Sequence, residues 1–167
     1  MEASEHYSFV NDTKLDFKKL TFDDKSALGR TFLKSFRSFP NIQFNEVEVN
    51  ECGDFFKRFG ADIETLSIVS CDISERKLQS ILQSTKNLRQ LQIQQCSDLF
   101  ISGRFLTDSN LLLENVTCLS LALNRHLTDL LFNRITQAMP NLSSLDLSGN
   151  TISFHKGLHK KFYPGSH

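Results

Sequence analysis

The sequence has no net charge: nineteen Lys and Arg offset nineteen Asp and Glu, and the isoelectric point is about 7.0. A chain without a basic field is not drawn to phosphates, so neither nucleic acid nor an anionic membrane is an expected partner. Long apolar runs are missing as well. No stretch approaches the roughly 18 consecutive apolar residues that suggest a membrane span. The opening MEASEHYSFVNDTKLDF has no basic segment followed by an apolar run and a cleavage site. These absences point to a soluble chain of the cytoplasm or nucleus, in which the sequons at Asn11, Asn115 and Asn141 are expected to stay unmodified.

Catalytic constellations are also wanting. There is no glycine-rich phosphate loop and no GxSxG elbow, and the histidines sit mainly at the two ends. His126 reads as an exposed loop residue and not as a general base. His155 and His159 have i, i+4 spacing, but Gly157 interrupts the segment and no third ligand is specified, so they read as part of a solvated basic tail. Gly29, Gly53, Gly60 and Gly149 are isolated and read as helix ends or turns. The expectation is a protein that is not an enzyme and that uses no cofactor and no metal.

What is present is a repeat. IETLSIVSC from Ile63, LRQLQIQQC from Leu88, VTCLSLALN from Val116 and LSSLDLSGN from Leu142 share one frame, apolar-x-x-apolar-x-apolar-x-x-Cys/Asn. The same frame fits FNEVEVNEC from Phe44 and, more loosely, FKKLTFDDK from Phe17. The starts are 27, 19, 25, 28 and 26 residues apart, close to the leucine-rich range of about 20 to 29. The 19-residue interval implies a stunted segment between two strands.

The frame predicts a short strand whose alternation sends Leu66 and Ile68 inward and leaves Thr65, Ser67 and Val69 outward. Helices are expected between the strands. Ser26 to Phe39 places Leu28, Phe32 and Phe36 on one helical face; Ser74 caps a helix burying Leu78, Ile81 and Leu82; Thr128 precedes one with Leu131, Ile135 and Met139 that stops at Pro140. A strand and helix pair cannot hide its apolar side alone, so neighbours must stack into one core. With fifteen Phe and no Trp, phenyl rings fill that wedge. The fold class is therefore α/β, a leucine-rich-repeat solenoid with short parallel strands on a concave face and helices on a convex one. Its expected bounds are an N-terminal segment 1–16, five to six repeats over 17–152 and a basic tail 153–167.

Four cysteines admit disulfides or zinc in principle, but there is no CxxC pair. Cys52, Cys71 and Cys96 take the ninth frame position, where a small buried residue closes the turn, and are read as reduced thiols.

CDISERKLQSILQSTKNLRQLQIQQC and LTDLLFNRITQAMPNLSSLDLSGN resemble the cysteine-containing leucine-rich repeats of F-box proteins, with Leu127-Thr128-Asp129 matching the Ile-Thr-Asp that opens the convex helix in that family. The likeness runs from Leu15 to Ile152. It implies repeats that recruit a substrate protein for a cullin ubiquitin ligase. The F-box, a helical segment opening with Leu-Pro and closing near a Trp, is not found in these residues, so the Skp adaptor is implied as a partner only through an F-box outside this chain. The alternative is a stand-alone intracellular scaffold or inhibitor.

Either way the expected partner is another protein, and the expected site is the concave sheet. Its outward positions read Glu46, Glu48 and Asn50, then Thr65, Ser67 and Val69, then Gln90, Gln92 and Gln94. Cys118, Ser120 and Ala122 follow, then Ser144, Asp146 and Ser148. Six strands about 4.8 Å apart span on the order of 25 Å, enough for a modest interface. Beyond Asn150 no cap is evident, so Leu142, Leu145 and Leu147 are expected to form an exposed apolar edge.

Overall fold

The computed structural model describes the backbone of residues 7–11 and the whole of residues 14–150. Along the chain these form β1 (Tyr7–Asn11), β2 (Lys14–Lys18), β3 (Thr21–Phe22), α1 (Ala27–Leu33), β4 (Asn41–Asn45) and β5 (Glu48–Val49). After them come α2 (Gly53–Phe59), β6 (Thr65–Val69), α3 (Glu75–Ser84), β7 (Gln90–Gln94), β8 (Cys118–Ser120), α4 (Asp129–Gln137) and β9 (Ser144–Asp146). The architecture is α/β. One seven-stranded sheet runs in the order β1-β2-β4-β6-β7-β8-β9, parallel throughout except for β1, which pairs antiparallel with β2. The short β3 and β5 form a second, two-stranded parallel sheet.

The register follows from side-chain alternation. Leu15, Ile42, Leu66, Leu91, Leu119 and Leu145 lie in one row, and Phe17, Phe44, Ile68 and Ile93 continue in the next. All but Leu145 are buried, and they share one core with Phe55, Leu78, Ile81, Leu131 and Ile135 from the helices. Each fully buried aliphatic or aromatic side chain contributes roughly 1.5–3 kcal/mol, set against the entropy of ordering the chain. The sheet therefore has one covered face.

This register corrects the two earliest frames. Phe44 pairs with Ile68 and Phe17 with Phe44, so each occupies the sixth frame position and not the first. The strands lie five residues earlier than expected, and successive strands are 27, 24, 25, 28 and 26 residues apart. The 19-residue interval vanishes, and the segment between β4 and β6 is not stunted but holds α2 and a short 3-10 turn, Gly60–Asp62. The boundary placed between residues 16 and 17 falls inside β2, so the sheet begins before it. The tail 153–167, with His155 and His159, lies outside the described residues.

After β2, β4, β6, β7, β8 and β9 the chain turns through a left-handed residue: Lys19, Glu46, Ser70, Gln95, Leu123 and Gly149 have φ of 51°, 54°, 53°, 53°, 60° and 73°. Only the last is glycine. For the others the left-handed conformation costs roughly 1–2 kcal/mol. What holds them there is a ladder: the amides of Lys19, Glu46, Ser70, Gln95 and Leu123 donate to the carbonyls of Asn45, Val69, Gln94, Ala122 and Ser148, each on the following strand or just beyond it, at 2.9–3.2 Å. Glycine at 149 makes room for Leu123, whose side chain lies against it.

The helices form where capping residues stand. The hydroxyls of Ser26, Ser74 and Thr128 accept from the backbone N–H of Gly29, Lys77 and Leu131. α1 ends at Leu33, so Phe36 lies beyond the helix it was expected to join and is 99% exposed. Gly29 falls inside that helix and not at an end. Gly60 passes so close to the end of α3 that a Cβ there would stand 2.5 Å from the Ser84 carbonyl oxygen. At the far end Leu142 is buried and Leu145 and Leu147 are half-buried, so the apolar edge expected there is largely covered. Among the described residues no helix is long and apolar enough to cross a membrane.

Candidate protein-binding face

The face of the sheet turned away from the helices is built by the alternate residues of each strand. In register these are Asn41, Gln43 and Asn45 on β4, Thr65, Ser67 and Val69 on β6, and Gln90, Gln92 and Gln94 on β7. Cys118 and Ser120 follow on β8, and Ser144 and Asp146 on β9. Ala122 and Ser148, also expected here, come just after β8 and β9; Ala122 is buried and Ser148 exposed.

Glu46, Glu48 and Asn50 are not on this face. Glu46 is the left-handed turn residue and pairs with Lys19 of the neighbouring turn at 3.8 Å. Glu48 belongs to β5, where it accepts a hydrogen bond from the Thr21 hydroxyl at 3.3 Å. Asn50 lies past β5, its amide donating to the Phe22 carbonyl. The physical reason is an ambiguity of spacing: Phe44, Val47 and Val49 satisfy the apolar frame as well as Phe39, Ile42 and Phe44 do, and all five residues are buried. The interval was the signal that discriminated, since only the earlier frame keeps every repeat near the same length. The residues missed are Asn41, Gln43 and Asn45, together with Lys14, Asp16 and Lys18 on β2.

The face is cross-linked by its own side chains. The Ser67 hydroxyl donates to Gln92 Oε1 at 2.9 Å, Gln94 Nε2 donates to the Ser120 hydroxyl at 2.7 Å, and that hydroxyl donates to Asp146 Oδ2 at 3.0 Å. Chains of this kind orient amides and hydroxyls before a ligand arrives. On β2, Asp16 is buried and paired with Lys18 at 3.3 Å, while its Oδ1 has no hydrogen-bond partner among the described residues. The Asp146 carboxyl is held below its ordinary range, chiefly by the Ser148 amide N–H, with the hydroxyls of Ser148 and Ser120 adding to it. A shallow depression of about 210 Å³ lies over β6–β9, rimmed by Thr65, Gln90, Gln92, Cys118, Ser120 and Asp146.

The thiols divide in the same way. Cys118 is half-exposed on the face; Cys52, Cys71 and Cys96 are buried and unpaired in disulfides. Burial pushes the Cys52 thiol up to about 12, with Asp24 adding to the effect, and Cys71 to about 11; Cys96 moves the same way for the same reason. Cys71 and Cys96 follow the left-handed turn as expected, whereas Cys52 stands at the start of α2, a consequence of the corrected frame. His126 is half-buried between β8 and α4 and not exposed. Asn115 and Asn141 each donate their side-chain amide to a backbone carbonyl, those of Lys86 and Glu114. No family model, curated protein or solved structure matches this chain.

Proposed function

We propose that this chain is a leucine-rich-repeat solenoid that binds another protein on the open face of its parallel sheet. The observation that carries this reading is the face itself. Parallel sheets are ordinarily covered on both sides, yet here the helices cover one side and a row of amides and hydroxyls lies on the other. Such a surface offers donors and acceptors to a polypeptide with little desolvation of charge. It holds no constellation of nucleophile, base and oxyanion donors, and the reading is non-enzymatic. The repeated left-handed turn, the recurring carbonyl ladder and intervals of 24 to 28 residues support the solenoid.

The sequence resemblance carries the reading further, to the substrate-recognition repeats of an F-box-type ubiquitin-ligase receptor, with a free-standing scaffold or inhibitor as the second reading. In the first case Skp binding belongs to an F-box outside these residues, so the purified chain should not retain the Skp adaptor in a pull-down. Stoichiometric retention would refute that division of labour.

The face itself is tested by panning the full chain against a displayed random-peptide library. Affinity for recovered peptides should fall about tenfold or more in Gln92→Arg, at the centre of the face, and hold in Ser80→Arg, on α3. The reverse pattern would move the site to the helices.

A further inference from the structure

On the open face from β6 to β9 every side chain is uncharged except one. Asp146 is exposed, receives the Ser120 hydroxyl at 3.0 Å and the Ser148 amide N–H at 3.0 Å through its two oxygens, and has no cation against it among the described residues. It helps to line the 210 Å³ depression, together with Gln90, Leu91, Gln92, Cys118 and Leu119 among others. Across the strands Thr65, Gln90, Cys118 and Ser144 form one row, and Ser67, Gln92, Ser120 and Asp146 form the next.

We infer that the face takes an extended, otherwise uncharged segment of a partner protein through one Lys or Arg, whose cationic head pairs with Asp146 while its stem lies in the depression. The inference rests on the protein-binding reading above. Three features favour this occupant. A long basic side chain has an apolar stem and a charged tip, which suits a depression lined by Leu91, Cys118 and Leu119 as well as by the carboxylate of Asp146. The hydrogen bonds from Ser120 and Ser148 keep the carboxyl ionised and fix its direction, so little order is lost on pairing. An acidic segment is rejected, because the face from β6 to β9 has no cation with which to meet it.

The chain has its own candidate cations in Lys156, Lys160 and Lys161, which lie outside the described residues. The partner is preferred because the face is the larger part of the site: Thr65 on β6, Gln90 and Gln92 on β7 and Cys118 on β8 span three strands with side-chain groups that one lysine contact would not use.

The test uses the full chain panned against a displayed random-peptide library, followed by titration of the most enriched peptides. Recovered sequences should share one Lys or Arg and few acidic residues. Asp146→Asn should weaken them about tenfold, as should replacing that peptide residue with Gln, and the two changes together should weaken binding no more than either alone. Because Asp146 is exposed, thermal melting of the variant should match the parent; Ser144→Lys, which keeps the carboxylate and puts a cation beside it, should give the same loss. Peptides without a shared basic residue, or insensitive to both variants, would overturn the pairing. If Gln92→Arg still abolished their binding, the face would stand without it. Failure to enrich any sequence would overturn the inference. So would a matching gain in affinity from Lys156→Gln, Lys160→Gln and Lys161→Gln combined and from Asp146→Asn, since the tail would then be the occupant.

Discussion

The two ends of the sheet solve the same problem with different chemistry. Around β2 and β4 the core is aromatic: Phe55 has ring centroids at 5.1 Å from Phe22, 5.2 Å from Phe56 and 5.0 Å from Phe59, and Phe17 stacks on Phe44 at 5.3 Å. Around β8 and β9 it is mostly aliphatic, with Leu119, Leu121, Leu131 and Ile135. The turns differ in step. In the first half the chain beyond each turn adds a second backbone ladder, with the amides of Glu48 and Asp72 donating to the carbonyls of Leu20 and Val47 at 3.0 Å. In the second half side chains do this. Asn124 accepts from the Cys96 amide and donates to the carbonyls of Ile93 and Leu121, and Asn150 accepts from the Asn124 amide and donates to Leu121 and Leu147. Cys96 stands between the two regimes, its thiol directed at the Ile68 carbonyl at 3.9 Å, where the asparagines place an amide. A buried turn must satisfy its backbone groups; whether backbone or side chain does so is set locally.

The largest effect separating the halves should come from the rings. Phe55→Ala is expected to lower stability by about 3–5 kcal/mol through the lost burial and the cavity left behind, read as a fall in denaturant midpoint with an unchanged slope. A loss within the range of a surface substitution would mean that the aromatic cluster is not the anchor of the first half.

Next comes the asparagine turn. Asn124→Ala takes the side-chain partner from the Cys96 amide and the Ile93 carbonyl, at about 1–3 kcal/mol for each buried group that water does not reach, and leaves the Leu121 carbonyl with Asn150. Cys96→Ala removes only a small side chain and a weak donor and should cost about 1 kcal/mol. Amide hydrogen exchange at Cys96 should rise sharply in the first variant and little in the second. Equal losses in the two would erase the distinction between the regimes.

A smaller effect concerns Asp24, which is buried and accepts the backbone N–H of Asp54 at 2.8 Å and Phe55 at 3.2 Å, capping α2 from the preceding repeat because Cys52 makes no side-chain cap. Its carboxyl is raised above the ordinary 3.8 chiefly by burial, against the pull of those two amides. A raised folded-state value means that the folded chain binds the proton more tightly. Asp24's stabilising contribution is thus fully present below 3.8 and is lost as pH rises through the higher folded value. Asp24→Asn should therefore compare worst with the parent in acid and gain on it as pH rises through that window. Urea melts over a pH series read the difference directly, and an opposite slope would show that the amides outweigh burial.

The second half was the more legible in sequence, and the contrast explains why. From Ile63 onward the strands alternate apolar and small polar residues, Asn and Cys mark the turn, and Ser74 and Thr128 announce their helices; these features gave β6 to β9, α3 and α4, and the face residues from Thr65 to Asp146. In the first half Phe44, Val47 and Val49 are all buried because two short sheets succeed one another, so two frames fit equally and the wrong one drew Glu46 and Glu48 onto the face. α2 went unread because its buried Phe55, Phe56 and Phe59 follow no capping side chain of their own; the cap, Asp24, lies thirty residues earlier. The ladder from Gln94 through Ser120 to Asp146 depends on which strand lies beside which, and spacing along one strand does not contain it.

The left-handed turn decides where this molecule can change length. After the six parallel strands of the main sheet it follows the last inward residue by two positions, from Phe17 and Lys19 to Leu147, just past β9, and Gly149, while the intervals between strands differ. An added residue between Ile93 and Gln95 would exchange inward and outward side chains for the rest of that strand and break the turn's pairing with Ala122. The same residue added among Ser102, Gly103 and Arg104, between β7 and β8, would only lengthen an exposed or half-exposed turn. Insertions and deletions are thus best tolerated in the connecting segments, where the open face of the sheet can keep its geometry while the segments behind it change in length.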